Sequence, residues 1–231
     1  MELFKHIFQT LIILTLRKEL TMEIQWFGGT TFIIKNSIGK RILIDPMQIG
    51  ASIKKYDFKV DIITLNSPDI YQNIEPYIQK ECTIINSISS FCNEYLSLNS
   101  YSSFKDNIMG AKRGENIIYI FEIDGFRLCH LGTLGHTLNI NFVSKLQNLD
   151  FLFIPIGGHF SLNGIDAAKL ATSINSKYII PMYYRNLYDY AYLDGPHKFL
   201  SHMKCVKKCN STSIQTNSLD FKNSNTVLLL E

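Results

Sequence analysis

The chain has 231 residues, of which 46% are hydrophobic and 19% are charged, a composition typical of globular rather than disordered proteins. This length supports one substantial hydrophobic core, so we expect a single folded domain. The formal charge of +3 is small and the lysines and arginines are dispersed, which gives no indication of a nucleic-acid-binding protein.

Cysteine usage and the N-terminal residues bear on the cellular compartment. Five cysteines, an odd number in a chain too large to need disulfide bonds, indicate free thiols and a cytoplasmic protein. The apolar run over residues 7–16 lies between Lys5 and Arg17, but its ten residues are too few to span a bilayer and no signal-peptidase site follows. We therefore interpret residues 1–21 as an N-terminal extension and residues 22–231 as the domain, without a transmembrane span.

The first half of the domain is rich in short β-strand patterns. Gly28-Gly29 and a turn around residues 36–39 separate the first three of them, which predicts a β-meander. Strands are predicted over residues 23–26, 31–35, 41–44, 61–65 and 82–85, and a short helix is predicted over residues 73–79.

The second half alternates strands with helices. Asp124-Gly125, between two apolar runs, is the strongest hairpin signal in the chain. Strands are predicted over residues 117–122, 126–130, 151–155, 178–182 and 226–230, a helix over residues 164–174, and a loop over the polar residues 210–225. A β-rich part followed by a βαβ order is compatible with mixed sheets that carry helices on their outer faces.

Several motifs, in order along the chain, carry a resemblance to a known family. They are Ile24-Gln25-Trp26-Phe27-Gly28, Lys40-Arg41-Ile42-Leu43-Ile44-Asp45-Pro46, Val60-Asp61-Ile62-Ile63-Thr64, Gly110-Ala111-Lys112-Arg113-Gly114-Glu115-Asn116, Cys129-His130-Leu131-Gly132, Leu134-Gly135-His136, Ile154-Pro155-Ile156-Gly157-Gly158 and Ile180-Pro181-Met182. The ordered set resembles the metallo-β-lactamase superfamily, specifically its ascorbate-6-phosphate-lactonase-like branch of proposed zinc-dependent hydrolases. The resemblance runs from Met22 almost to the C-terminus. It implies a mixed α/β fold, a four-layer αββα sandwich with its site at the sheet edges.

The resemblance also implies where metal ligands would stand. Members of the superfamily hold one or two metals, usually zinc, with a His-x-His-x-Asp-His loop, a further His, a bridging Asp and a last His. Imidazole and carboxylate bind a divalent ion and leave a position for water. The seven corresponding positions in this chain are Ser67, Asp69, Tyr71, Gln72, Lys105, Thr133 and Tyr183. Only Asp69 normally ligates zinc, and Gly29 stands where the branch usually has another His.

We therefore expect zinc binding to have been lost, because a catalytic zinc needs about three protein ligands. The cavity would then be filled from within. Lys105 near Asp69 would replace the metal–ligand charge with an ion pair, and Tyr71 and Tyr183 would occupy space and form hydrogen bonds. An alternative is a non-metal enzyme in which these same four residues act as acid, base or nucleophile.

Two further groups of residues are candidates for binding. His159 follows Gly157-Gly158 in a loop expected to rim the pocket, where an exposed histidine can meet a ligand. Near the C-terminus, His197, His202, Cys205 and Cys209 include three residues at helical spacing that would share one face. We interpret this segment as an ordinary packed helix, with a relocated zinc site as the alternative.

These observations favour a metallo-β-lactamase-fold, hydrolase-like protein that has lost metal binding and hydrolysis and serves as a binding or regulatory module. Its ligand would be an unidentified small molecule or protein, and no bound cofactor is expected. The alternative is a divergent hydrolase of the lactonase-like branch that acts on a small phosphorylated or lactone metabolite. Homo-oligomerisation stays open, and twelve tyrosines with fifteen phenylalanines leave a structural role in a complex as a third interpretation.

Overall fold

The computed structural model of the chain describes residues 20–46, 59–67, 81–186 and 191–231. Two β-sheets organise these residues. The first sheet has six strands, β1 (Glu23–Trp26), β2 (Phe32–Lys35), β3 (Arg41–Ile44), β4 (Ile62–Thr64), β5 (Thr83–Ile85) and β13 (Ser213–Gln215). Their order is β13-β1-β2-β3-β4-β5. The predicted meander β1-β2-β3 pairs antiparallel, and β3, β4 and β5 pair parallel.

The second sheet has eight strands in the order β12-β14-β11-β10-β9-β8-β7-β6. Their bounds are β6 Ser90–Cys92, β7 Ser97–Phe104, β8 Glu115–Ile123, β9 Phe126–His130, β10 Phe151–Pro155, β11 Tyr178–Met182, β12 Cys205–Lys208 and β14 Thr226–Leu229. Asp124 and Gly125 both have positive φ, as the predicted two-residue hairpin between β8 and β9 requires. The strands β9, β10 and β11 are parallel neighbours.

Three helices accompany the second sheet among the described residues: α1 (Ile140–Lys145), α2 (Gly164–Ile174) and α3 (His197–Leu200). The helix α2 begins after Asn163, whose side-chain oxygen accepts the N–H groups of Ile165 and Asp166, and ends at Asn175 in the left-handed region. Its small residues Ala167 and Ala171 are fully buried, and the helix packs against β10. This cover explains why every residue of β10 and β11 is buried.

The main hydrophobic core lies between the two sheets. Phe32 on β2 meets Phe153 on β10 with ring centroids 4.6 Å apart, and Ile34 and Ile42 join the same fully buried cluster. A smaller cluster around Leu43 and Ile63 uses the opposite face of the first sheet. The mixed α/β fold with two facing sheets confirms the architecture that the resemblance implies.

Some predicted elements were wrong. Cys205 lies on strand β12, not on a helix, because this segment pairs in parallel with β14. The predicted loop over residues 210–225 contains the strand β13, which pairs with β1. The strands β6 and β7 and the helix α1 were not predicted. The predicted helix over residues 73–79 and the apolar run over residues 7–16 lie outside the described residues. Within the described ranges, no helix is long and apolar enough to cross a bilayer.

Candidate functional site

One edge of the two sheets gathers most of the sequence-predicted site positions. Parallel strands end at the same edge, and Ser67, Thr133, His159 and Tyr183 follow β4, β9, β10 and β11 within a few residues. Lys105 directly follows β7, which runs parallel to β9 because both pair antiparallel with β8. Asp69, Tyr71 and Gln72 lie outside the described residues. The expected ion pair between Lys105 and Asp69 therefore stays a prediction.

Ser67 and Lys105 are in direct contact. The Nζ atom of Lys105 donates a hydrogen bond to the Oγ atom of Ser67 at 2.8 Å. Ser67 is buried and Lys105 is half-buried. A lysine ammonium group has three donors and no lone pair, so it cannot coordinate a metal ion. Ser67 and Lys105 stand at two positions where the family would carry metal-binding histidines. Here the two side chains bond directly to each other, without a metal ion between them.

The loop after Lys105 is held by a single carboxylate. Asp106 accepts backbone N–H groups from Ile108, Gly110, Lys112 and Arg113 at 2.8–3.0 Å. Desolvation opposes ionisation of this carboxyl group, but the four N–H groups outweigh it and lower its pKa to about 2. The loop therefore has a fixed shape from which Lys105 extends.

Thr133 lies in a turn that is anchored between the sheets. Its N–H donates to the Oδ1 atom of Asn116 at 2.9 Å, and the Asn116 amide donates to Ser103 and to the carbonyl of Leu131. The neighbouring Gly132 has φ +60 and packs against the side chains of Asn66 and Asn116, which leaves no room for a Cβ atom. Because Asn66 precedes Ser67, this close approach places the Thr133 turn beside the Ser67–Lys105 pair.

Asp45, which follows β3, is a site residue that sequence reasoning did not single out. Its carboxylate accepts the hydroxyl of Thr30 at 2.5 Å and the N–H of Asn66 at 3.1 Å. Burial raises the pKa of Asp45 to about 6, and the two hydrogen bonds and the positive charge of Lys105 limit that rise. The sequence feature that could have identified Asp45 is a carboxylate directly between an apolar strand and Pro46.

His130 ties the two sheets together at this edge. Its Nδ1 atom accepts the N–H of Gly132 at 3.2 Å, so Nε2 carries the proton and donates to the carbonyl of Thr30 at 2.9 Å. Burial lowers the pKa of His130 to about 3, and the hydrogen bond to Thr30 opposes this only in part. The side chain is thus a neutral structural link whose two nitrogen atoms are both engaged.

Tyr183 adopts a left-handed backbone conformation with φ +51, which is unusual for a bulky residue. Its N–H donates to the carbonyl oxygen of Gly29 at 3.0 Å, and its own carbonyl lies against Gly157. Two positions where the family usually carries histidines are therefore bonded through their backbones, and the Tyr183 side chain is buried.

His159 is exposed, on the loop that follows β10. Its Nε2 atom is 3.9 Å from the Oδ1 atom of Asp194, and the Oδ2 atom of the same carboxylate accepts a hydrogen bond from the Lys198 ammonium at 3.0 Å. Among the C-terminal candidates, His197 is on α3, His202 bonds to the carbonyl of Lys198, and Cys205 is on β12. Over the described ranges, no three His, Cys, Asp or Glu side chains are grouped so as to hold a metal ion.

Two buried polar atoms of this edge have no hydrogen-bond partner among the described residues. They are the Oγ1 atom of Thr64, the last residue of β4, and the Oδ1 atom of Asn66, two residues further along the chain. Neutral oxygen atoms such as these are typical ligands of hard cations rather than of zinc. At the four described ligand positions, Ser67, Lys105, Thr133 and Tyr183 do not fit a zinc ion.

Comparisons with known proteins agree with the two-sheet architecture. The profile of the β-lactamase superfamily domain matches residues 23–183. A metal-dependent hydrolase of Polynucleobacter asymbioticus is 26% identical over 212 residues, covering 71% of this chain and 74% of the relative. A metal-dependent hydrolase of Geobacillus thermodenitrificans is 24% identical over 213 residues, covering 78% and 92%.

Solved structures show the same fold. A proposed Zn-dependent hydrolase of the metallo-β-lactamase superfamily from Thermotoga maritima superposes with a TM-score of 0.73 at 24% identity, covering 91% of this chain and 98% of that chain. A metallo hydrolase from Ignicoccus hospitalis has a TM-score of 0.56 at 18% identity, covering 71% and 83%. These chains are similar to the present one in backbone, and their names describe activities of those proteins.

Proposed function

Because this chain belongs to the β-lactamase superfamily, whose curated relatives are named metal-dependent hydrolases, we propose that it is a member that operates without a resident zinc ion. In this proposal the protein is a binding or regulatory module with a hydrolase-like architecture. The observation that carries it is the hydrogen bond from Lys105 Nζ to Ser67 Oγ at 2.8 Å.

The electrostatics of the edge support this proposal. A zinc centre supplies positive charge that its carboxylate and imidazole ligands balance. Here the positive charge comes from Lys105: burial raises the pKa of Asp45, and the Lys105 charge, together with two hydrogen bonds, limits that rise. An ammonium group and a dication at the same place would repel each other, so the lysine replaces the metal ion rather than assisting it.

Metal analysis combined with an activity panel tests the proposal. The full chain is expressed with zinc, manganese or iron in the medium, and its metal content is measured beside that of the Geobacillus thermodenitrificans relative, prepared identically. Esterase, lactonase and phosphodiesterase substrates are then assayed with and without added metal. We expect metal far below one ion per chain and no turnover above the buffer rate. Near-stoichiometric zinc with chelator-sensitive turnover would refute the proposal.

A second candidate is a divergent hydrolase that acts on a small lactone or phosphorylated metabolite. The same contact favours it, because a neutral Lys105 amine beside the Ser67 hydroxyl would accept its proton as Oγ bonds to the acyl carbon of a lactone. The ring C–O bond would then break, the leaving oxygen would take that proton, and water would release the acyl group from Ser67. Against it, Ser67 is only 1% exposed, which leaves little access for a substrate. Chelator-resistant turnover that Ser67→Ala abolishes, with folding retained, would establish this candidate over the binding module.

A further inference from the structure

A cavity of about 550 Å³ lies beside the backbone of Lys105, and its volume falls within the range of small-molecule pockets in proteins. Both neighbours of Lys105 in the chain line it, together with residues of the turn after β9, the loop after β10 and the start of α2. Lys105 itself does not line it, because its ammonium group extends to Ser67. The cavity is therefore separate from the Ser67–Lys105 pair.

The described walls of this cavity are mainly polar and carry negative charge. Besides Asp106, Asp166 and a histidine, they contain two asparagines, a serine and a threonine, against three apolar side chains. None of the described wall residues is a lysine or an arginine. Of the cations close to Asp106 in sequence, Lys105 bonds to Ser67, and the Arg113 guanidinium lies 5.3 Å from the ring of Phe160.

Asp106 supplies a permanent negative charge to one wall. Desolvation raises the pKa of this carboxyl group, but the four backbone N–H groups that it accepts lower it to about 2, so it is ionised at neutral pH. Each of its oxygen atoms already accepts two of these N–H groups. Its charge therefore acts on the cavity through space, while its oxygen atoms are occupied by the loop.

Asp166, near the start of α2, supplies a second charge and a free acceptor. Its Oδ2 atom accepts the Asn163 amide at 2.8 Å. Its Oδ1 atom is 3.6 Å from the Lys169 ammonium, which is too far for a hydrogen bond. The Lys169 side chain is 74% exposed, so water screens this ion pair and it is weak. The Oδ1 atom can therefore accept a hydrogen bond from a ligand.

The neutral polar groups of the wall add acceptors rather than donors. Ser161 is 8% exposed, and its hydroxyl donates only long hydrogen bonds, to the carbonyls of Gly158 and Leu162 at 3.5 and 3.4 Å. Among the described residues nothing donates to its oxygen atom, so its lone pairs are available. Both ring nitrogens of His136 bond to backbone groups, so this residue contributes no donor to the cavity.

We propose that this cavity binds a small organic cation with a primary ammonium group and hydroxyl groups, of the size of an amino sugar. The ammonium group would donate to Asp166 Oδ1 and Ser161 Oγ within the field of Asp106, and its hydroxyls would meet Asn107 and Thr137. An organic cation fits better than a metal ion, because the described residues group no three His, Cys, Asp or Glu side chains to hold one. This site goes beyond the proposed zinc-free function and does not depend on it.

Three sugars of matched size and different charge test the site: glucosamine, glucose and glucuronate. Their binding to the full chain is measured by ligand-observed NMR titration at about pH 6.5, where the amine is protonated and the carboxylate is ionised. We expect saturable binding of glucosamine, at least about fivefold weaker binding of glucose, and still weaker binding of glucuronate, because the wall attracts a cation and repels an anion.

Two charge-removing variants place the binding at this cavity. Asp166→Asn keeps the shape of the side chain but removes its charge, so it should weaken glucosamine binding about fivefold or more and leave glucose binding unchanged. Glu122→Gln is the matched control, since Glu122 also lies beside a cation, 3.8 Å from Arg127, but near the hairpin at the opposite edge of the sheet. Circular dichroism confirms that both variants fold.

The proposal is supported if charge and position both decide the affinity. Glucose or glucuronate binding as tightly as glucosamine would overturn it. Equal effects of Asp166→Asn and Glu122→Gln on glucosamine binding, or no saturable binding of glucosamine, would overturn it as well.

Discussion

The N–H of Gly135 donates to the carbonyl oxygen of Phe104 at 2.9 Å, and this bond holds the turn after β9 against the backbone of Lys105. A Cβ atom on Gly135 would overlap the Lys105 carbonyl oxygen. The two segments that bring Thr133 and Lys105 to the site are thus packed without any space between them.

Gly135→Ala should therefore destabilise the protein by about 2 kcal/mol, because a backbone carbonyl cannot move aside as a flexible side chain can. Urea unfolding followed by circular dichroism measures the change. Gly195→Ala is the matched control, since its Cβ atom would meet only the Arg185 side chain at 4.0 Å, and it should change stability by less than about 0.5 kcal/mol. Equal effects of both substitutions would show that the close packing at Lys105 is absent.

Asp45 should make the protein less stable as the pH rises. Its folded-state pKa of about 6 lies above the ordinary value of 3.8, so the folded state holds the proton more tightly than the unfolded chain. The stability that this proton provides is present below pH 4 and is lost as the pH rises from about 4 to about 6. The expected size is roughly 2 to 3 kcal/mol.

Asp45→Asn isolates this effect from other titrating groups. The free energy of unfolding of the variant, minus that of the unaltered chain, should increase between pH 4 and pH 6 and level off above pH 7. Chemical denaturation at unit pH intervals measures the difference. A difference that does not vary with pH would contradict the assignment of a buried, proton-binding carboxyl group to Asp45.

Lys105→Met should raise the pKa of Asp45 further, because the Lys105 charge is one of the groups that lower it. Methionine has an unbranched apolar side chain of similar length to that of lysine but carries no charge. Lys105→Arg, which keeps the positive charge, is the control. The carboxyl-carbon resonance of Asp45, identified by its loss in Asp45→Asn, reports the titration by NMR. If the methionine and arginine variants titrate at the same pH, Lys105 does not supply the balancing positive charge.

His130 should contribute to acid unfolding in the opposite direction. Its folded-state pKa of about 3 lies below the ordinary 6.5, so the unfolded chain takes up a proton that the folded chain refuses. Stability should therefore fall as the pH decreases from 6.5 towards 3. His130→Gln costs stability at pH 7, but its deficit relative to the unaltered chain should shrink towards pH 4, as urea unfolding can measure. A constant deficit would mean that His130 is not buried as a neutral ring.

Residue patterns predicted most of the fold. Apolar runs bounded by turn residues gave the exact bounds of β1, β3, β9, β10, β11 and α2. The strand β7 was missed because its sequence, rich in serine and asparagine, has the composition of a loop. It forms a strand because all eight of its residues pair with β8. The error at Cys205 has the same origin, since pairing with β14 outweighs local helical spacing.

The candidate site was predictable only in part. Motif spacing identified Ser67 and Lys105 as equivalent to ligand positions, but not that they bond to each other, because that contact joins residues 38 positions apart on different sheets. The role of Asp45 also depends on tertiary structure, since its partners Thr30 and Asn66 come from separate loops. Residue types indicate what a site can bind, while its internal pairing depends on how the loops meet.

The most direct test of a site that operates without zinc is crystallographic. Crystals grown with zinc in excess are measured on both sides of the zinc absorption edge, and the anomalous difference map is inspected around Ser67 and Lys105. We predict no anomalous peak there, and density that joins Lys105 Nζ to Ser67 Oγ at hydrogen-bond distance. A zinc peak within about 2.5 Å of protein ligands at this edge, with Lys105 turned away, would contradict the account.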